Sequence, residues 1–158
     1  MLKAWTVFLL AAAGVYIVDQ NIKQIFLAGW RWESDCISLS LVFNKGVAFS
    51  MLSFLGPYLK WIQIALLASV MGYIIHGGYL NRHSLPLGIL FGAAIGNIAD
   101  RFMHGGVVDY VHWHCGFDFA VFNFADVMID FAVAWLLIEH FFFKGALNKD
   151  ETGLRKNQ

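Results

Sequence analysis

Apolar residues run almost unbroken through four stretches, near 4–26, 58–76, 85–103 and 122–143, with polar loops between them. Each is close to the roughly 20 residues that a helix needs to cross about 30 Å of hydrocarbon, so the pattern predicts four transmembrane helices. The first stretch has the outline of a secretory signal, Lys3 followed by AWTVFLLAAAGVYIV, but no small-residue cleavage site closes it and the helical pattern continues through Asp19 and Lys23. It is expected to be a retained span. The whole of 1–147 reads as one domain, and the polar tail 148–158 reads as disordered.

Between the helical stretches the period changes. ISLSLVF at 37–43 alternates with period two, is rich in β-branched and aromatic residues and ends in the turn-prone NKG, which predicts a short strand. VVDYVHW and CGFDFAVF in the loop 104–121 read as extended chain around a glycine turn. The two loops 27–57 and 104–121 can therefore pair into a small β element lying over the helices, a platform suited to an extended peptide. The expected fold class is an all-α membrane protein of four transmembrane helices with a small extracytoplasmic β element formed by its two outer loops.

Composition supports the membrane reading: 59% of the 158 residues are hydrophobic, 16% aromatic and only 14% charged. Eleven basic and eleven acidic residues cancel, which leaves no basic surface for nucleic acid. Lys3, Arg82, Lys144, Lys149, Arg155 and Lys156 would share one side, whereas 104–121 contains no Lys or Arg. The positive-inside rule then places both termini in the cytoplasm and the two loops outside. Cys36 and Cys115 fall one in each outer loop; an oxidising compartment would permit a disulfide, and spacing leaves pairing and two separate thiols equally open.

The chemistry concentrates at the outer ends of the spans. Asp109, Asp118, Asp126 and Asp130 fall within 22 residues of an otherwise bilayer-compatible segment, where carboxylates usually face a cavity, a partner or a substrate. Asp19 and Lys23 are spaced for an intrahelical ion pair, which a purely structural role would also explain. GAAIGNIADRF sets Asn97 and Arg101 on one helix face beside Asp100, with Gly92, Ala93 and Gly96 allowing close helix contact. Asn123 and Asp126 form an N-x-x-D cap at the start of the fourth helix. Capping leaves Asp109 unexplained. If the outer loops fold back, Asp109 and Asp126 converge, and two facing carboxylates can share a proton, one acting as base toward water and the other as acid toward a carbonyl or leaving amine.

VDQNIKQ, FNKGVAFS, GAAIGNIADR, GGVVDYV and FNFADV, in this order along nearly the whole chain, resemble the lipoprotein signal peptidases, the type II signal peptidases of bacteria. The resemblance implies an inner-membrane aspartyl endopeptidase, without a metal or other cofactor, that removes signal peptides from prolipoproteins just before a diacylglyceryl-modified cysteine. It maps the catalytic pair onto Asp109 and Asp126, and supporting positions onto Asp19, Lys23, Asn44, Gly46, Asn97, Asp100, Arg101 and Asn123. It also implies prolipoprotein substrates, membrane lipid and globomycin-type peptide inhibitors as partners, a monomer, and a site near the periplasmic face. Asp130 and the HWHC segment depart from the family pattern.

Two other function classes fit parts of the chain. Asp109, His112, His114 and Cys115 include the ligand types of a metal-dependent peptidase, with the two histidines on one face of a strand. A small proton-coupled transporter could use Asp19, Lys23, Asp100 and Arg101 as a relay, but the second span offers only Gln63 and Ser69 to continue it.

Overall fold

The computed structural model of the chain describes residues 1–46, 53–117 and 119–155, with side chains as far as 142. Asp118 and residues 47–52, which belong to the outer loops read above, lie outside the described residues.

Among the described residues four α-helices and three strands follow one another: α1 (Leu2–Leu27), β1 (Trp32–Glu33), β2 (Ile37–Asn44), α2 (Gly56–His76), preceded by a 3-10 turn at Ser53–Leu55, α3 (Leu80–Met103), β3 (Val107–Trp113) and α4 (Phe124–Arg155). Among the described residues, α1, α2 and α3 are each long and apolar enough to cross a membrane. α2 starts with Pro57 in its first turn, where a missing N–H costs nothing, and stops at Gly77 and Gly78. α3 begins five residues earlier than the expected 85. Pro86 withholds an N–H and its ring crowds the Arg82 carbonyl, and the chain accommodates this with a kink at His83 (φ −121°, ψ 27°) instead of starting the helix there. α4 is longer than the expected 122–143 and stays helical to Arg155, into the segment whose composition suggests disorder.

Near the strands the bundle is polar inside, and much of its outer surface is apolar. Leu9, Leu10, Ile17, Leu66, Leu137 and Ile138 are exposed, whereas Asp19, Lys23, Asn97, Asp100, Arg101, Asp109 and Asn123 are buried. Water would not tolerate that arrangement as a monomer surface, and lipid would. α1 and α3 form the central contact. Gly88 and Gly92 face the backbone of Phe8 and Ala12 so closely that any Cβ would overlap it, the close approach that small residues permit where lipid supplies no hydrophobic drive. Phe8 and Phe91 meet edge to face beside Leu87, Ile74 and Leu80 at the other end of the bundle from the strands.

The strands form one antiparallel sheet in the order β1-β2-β3. β2 pairs with β3 from Ile37 opposite Trp113 to Asn44 opposite Val107, with an irregularity between Leu39 and Val42. The two loops do pair, as their alternation suggests, and β1 extends the sheet with Trp32 opposite Leu39. From the second extended run Phe122 joins as a bridge to Val111, and the Phe119 N–H donates to the Trp113 carbonyl at 2.9 Å. Cys36 and Cys115 are disulfide-bonded, with Cα atoms 4.2 Å apart, and clamp the far end of the β2–β3 pair. The near end meets α3 through the Gly105–Gly106 turn. Gly105 has φ +73°, and a Cβ on Gly106 would lie 3.0 Å from the Asn44 carbonyl, so glycine is what lets β3 start directly over the helix.

Candidate active site

Four chain segments, β2, β3, α3 and the start of α4, bring the two aspartates of the sequence reading to one place. Asp109 sits on β3, held from both sides: Asn123 Nδ2 donates to its Oδ1 at 2.7 Å and Asn44 Nδ2 to its Oδ2 at 3.0 Å. Asp126 lies in the first turn of α4, where Asn97 Nδ2 donates to its Oδ1 at 2.8 Å and the Asn123 backbone N–H to its Oδ2 at 3.1 Å. The Asp126 N–H in turn donates to Asn123 Oδ1 at 2.9 Å. This reciprocal pair is a capping box, so the structural role read from N-x-x-D is present. The same asparagine spends its amide on Asp109 as well, and thereby links the two carboxylates. Both line one cavity of about 330 Å³ bounded by α2, α3, α4 and the segment 119–122.

Behind the pair stands a charged network. Lys23 Nζ, with its side chain 1% exposed, lies 2.7 Å from Asp19 Oδ2 and 2.7 Å from Asp100 Oδ2, and donates to Asn97 Oδ1 at 3.0 Å. Asn97 is thereby oriented with its oxygen toward Lys23 and its nitrogen toward Asp126. Asp19 Oδ1 accepts the N–H of Ala125, and Asp100 Oδ2 accepts that of Val108, so each carboxylate fixes the backbone beside one of the two site aspartates. Arg101 donates to the Gly46 carbonyl at 2.6 Å and to that of Asn97 at 3.3 Å. Gly46 N–H bonds Asn44 Oδ1 at 3.0 Å, which sets the Asn44 amide toward Asp109. Every position that the resemblance nominated is drawn into this one assembly.

Four carboxylates gather here around the two cations Lys23 and Arg101, and burial makes the surplus negative charge costly. Asp109 feels this directly. Burial, with the neighbouring charge of Asp126, pushes its carboxyl up to about 7 against the opposing hydrogen bonds from Asn44 and Asn123. A carboxyl that holds its proton near neutral pH beside a second carboxylate is equipped for proton transfer in both directions.

Two contributors escaped the sequence reading. Gln20 Nε2 reaches Asp100 Oδ1 at 3.0 Å and Asp19 Oδ2 at 3.2 Å, bracing the acids that flank Lys23. Tyr110 stacks on Phe26 and its hydroxyl accepts the N–H of Phe124, the first residue of α4; burial pushes that phenol up to about 12. Gln20 lies inside the VDQNIKQ motif and Tyr110 follows Asp109, and adjacency was the only signal available.

The metal-site residues do not assemble. Cys115 is bonded to Cys36, His114 Nε2 pairs with Ser38 Oγ at 2.9 Å, and strand alternation sends Asp109 and His112 to opposite faces of β3. Of the two α2 residues that could continue the transporter relay, Ser69 bonds through Oγ within its own helix to Ala65, and Gln63 lines the cavity of Asp109 and Asp126.

Apolar helices around a buried carboxylate and amide centre define a membrane protein built for hydrolytic chemistry. The family model for signal peptidase (SPase) II matches residues 11–142. A lipoprotein signal peptidase of Sulfurovum sp. (strain NBC37-1) is 58% identical over 90% of this chain and 97% of its own length. One of Helicobacter pylori (strain ATCC 700392 / 26695) is 51% identical over 94% and 98%. A bacterial membrane enzyme solved in meso superposes with a TM-score of 0.73 at 29% identity, covering 90% of each chain. The chain belongs to the signal peptidase II family, and it is a peptidase.

Proposed function

We propose that the chain removes the signal peptide from bacterial prolipoproteins by cutting just before the diacylglyceryl-modified cysteine, with Asp109 and Asp126 as its catalytic pair. The observation that carries this reading is the linkage of the two carboxylates through Asn123 at the wall of one cavity. With one proton shared between them, the ionised member takes a proton from water as the water oxygen attacks the scissile carbonyl, and the protonated member gives its proton to the carbonyl oxygen. Collapse of the resulting gem-diol breaks the C–N bond: the protonated member gives its proton to the leaving amine while a diol hydroxyl returns one to the ionised member, which restores the pair. The proton belongs to the pair and not to either residue, so activity should fall in acid and in base.

In this reading Asp19, Lys23, Asn97, Asp100 and Arg101 hold the pair's scaffold, while Asn44 and Gly46 meet the substrate strand. α4 joins the other three helices as a fourth span in the inner membrane, both termini are cytoplasmic, and the sheet and site lie near the periplasmic face. The protein acts as a monomer amid membrane lipid, and globomycin-type peptides inhibit it by filling the same cavity. Purified protein in detergent, given a diacylglyceryl-modified prolipoprotein, should yield one cut, mapped by mass spectrometry to the bond before the modified cysteine. A cut elsewhere, or cleavage abolished by chelators and restored by zinc, refutes the reading.

A further inference from the structure

A second cavity, larger than the one that holds Asp109 and Asp126, lies at the far end of the bundle from the sheet, about 520 Å³ between α2, α3 and α4. Its lining changes character along the bundle axis. On each helix the polar residues lie about one turn nearer the end than the apolar ones: Tyr73 beyond Val70 on α2, Arg82 and His83 before Leu87 on α3, and Glu139 and His140 beyond Leu136 on α4. The cavity therefore has an apolar floor and a polar mouth, and its size and lining are those of a small-molecule site. The paired-carboxylate chemistry uses none of these groups.

Two sides of the mouth are tied. The hydroxyls of Tyr73 and Tyr79 lie 3.3 Å apart with their rings stacked, which joins α2 to the start of α3. His83 Nδ1 bonds Glu139 Oε2 from α3 to α4, and Trp135 Nε1 donates to Glu139 Oε1 at 2.9 Å. The third side, between α2 and α4, has no such tie among the described residues, and lipid reaches the cavity there. Both Glu139 oxygens thus already accept a donor, whereas the Arg82 guanidinium is exposed and makes no hydrogen bond or ion pair among the described residues. Arg82 from α3 and His140 from α4 bring N–H donors to the mouth, and the two tyrosines bring hydroxyls.

A phospholipid has the matching profile: a phosphate for the planar fork of an arginine, hydroxyls for the tyrosines and a chain for the apolar floor. A zwitterionic headgroup would bring its own cation beside Arg82, and the carboxylate that could offset it is engaged. A signal peptide reaching this end would bring its basic first segment into the same conflict. We propose that this cavity binds one anionic phospholipid of the leaflet at this end of the bundle, with its phosphate on Arg82 and His140, its headgroup hydroxyls on Tyr73 and Tyr79, and an acyl chain between α2 and α4 against Leu90 and Leu136. The lipid fastens the far end of α2, a helix that buries only Leu59 and Ile74. The site stands independently of the peptidase reading.

Native mass spectrometry tests this on the whole protein in detergent, given equal amounts of phosphatidylglycerol and phosphatidylcholine with identical acyl chains. Wild type should retain one phosphatidylglycerol about fivefold more often than one phosphatidylcholine, the worth of one arginine facing an anionic lipid. Arg82→Gln should bring that ratio to about one, and Tyr79→Phe should lower it. Arg31→Gln, which removes an exposed arginine between α1 and β1, should leave it unchanged. Phosphatidylglycerol should raise the melting temperature of wild type, and inorganic phosphate should not. Loss of folded protein removes both adducts alike and leaves the ratio unaltered. Equal retention of the two lipids by wild type, a preference that survives Arg82→Gln, or one that falls as far in Arg31→Gln overturns the site. Equal stabilisation by inorganic phosphate gives the cavity to a free anion and overturns the lipid. Displacement of the bound lipid by an uncleaved prolipoprotein on Asp109→Asn gives it to the signal peptide and overturns the lipid as well.

Discussion

α1 and α3 are held together by the same device at both ends of their contact and to different effect. Away from the sheet Gly88 and Gly92 admit the backbone of Phe8 and Ala12, and Phe8 closes on Phe91 with ring centroids 5.5 Å apart. Everything there is dispersion and shape. One turn beyond Gly92, Gly96 admits Asp19 instead, whose Oδ2 would lie 2.6 Å from a Cβ, and the contact becomes Lys23 between two carboxylates. The apolar end tolerates loss of a group as loss of contact area. The polar end does not, because each buried charge there is balanced by named partners and removing one strands the rest.

Lys23→Met should show this most strongly. It leaves Asp19 and Asp100 facing each other in a buried site, a change that typically costs about 3–5 kcal/mol when one member of a buried pair is removed. Phe91→Ala at the apolar end should cost less than its counterpart in a water-soluble core, because lipid leaves only the packing and cavity part of the loss. Thermal melting in detergent compares the two. Equal losses would mean that the charged network contributes no more than ordinary packing.

The next effect depends on pH. The Asp109 carboxyl has an ordinary value of 3.8 and is pushed up to about 7 in the folded protein. Below about pH 4 it is protonated folded and unfolded alike. Between about 4 and 7 the unfolded chain releases this proton and the folded one keeps it, so stability falls as pH rises and the contribution is lost above about 7. Asp109→Asn has no proton to keep, so it should melt higher than wild type above pH 7 and converge with it below pH 4. Parallel melting curves across this range would show that Asp109 ionises as freely in the fold as in water.

The smallest effect concerns the seam between sheet and helix. Tyr110→Phe keeps the stacking on Phe26 and removes the acceptor for Phe124 N–H, at a cost of about 1 kcal/mol. A change near zero in melting temperature would mean that another acceptor takes over the first turn of α4.

Much of this was readable from periodicity. The helical stretches, the strand at 37–43 and the N-x-x-D cap each depend on residues adjacent in sequence, and β2 and the α4 start appear where the pattern puts them. The misplaced start of α3 has a local cause too: Pro86 looks like a first-turn proline and is in fact a kink inside a longer helix. β1 is two residues long, too short for alternation to register. The missed contributors are tertiary. Nothing about Gln20 in isolation says that it will brace two acids, one of them 80 positions away, and Cys36 and Cys115 are 79 apart with their approach fixed only by the β2–β3 register. Site residues grouped by motif were legible. The bonds that orient Asn97 and Asn44 toward the aspartates were not, because they depend on several segments arriving together.

Single-turnover cleavage of a diacylglyceryl-modified prolipoprotein by Asp109→Asn and Asp126→Asn, each first shown to melt cooperatively, tests the paired-carboxylate account most directly. Each amide keeps the size of the carboxyl and much of its hydrogen bonding but cannot share a titratable proton, so both variants should be folded and lose at least about a thousandfold in rate, while His112→Ala and His114→Ala keep most of it. Near wild-type cleavage by either asparagine variant would contradict the account.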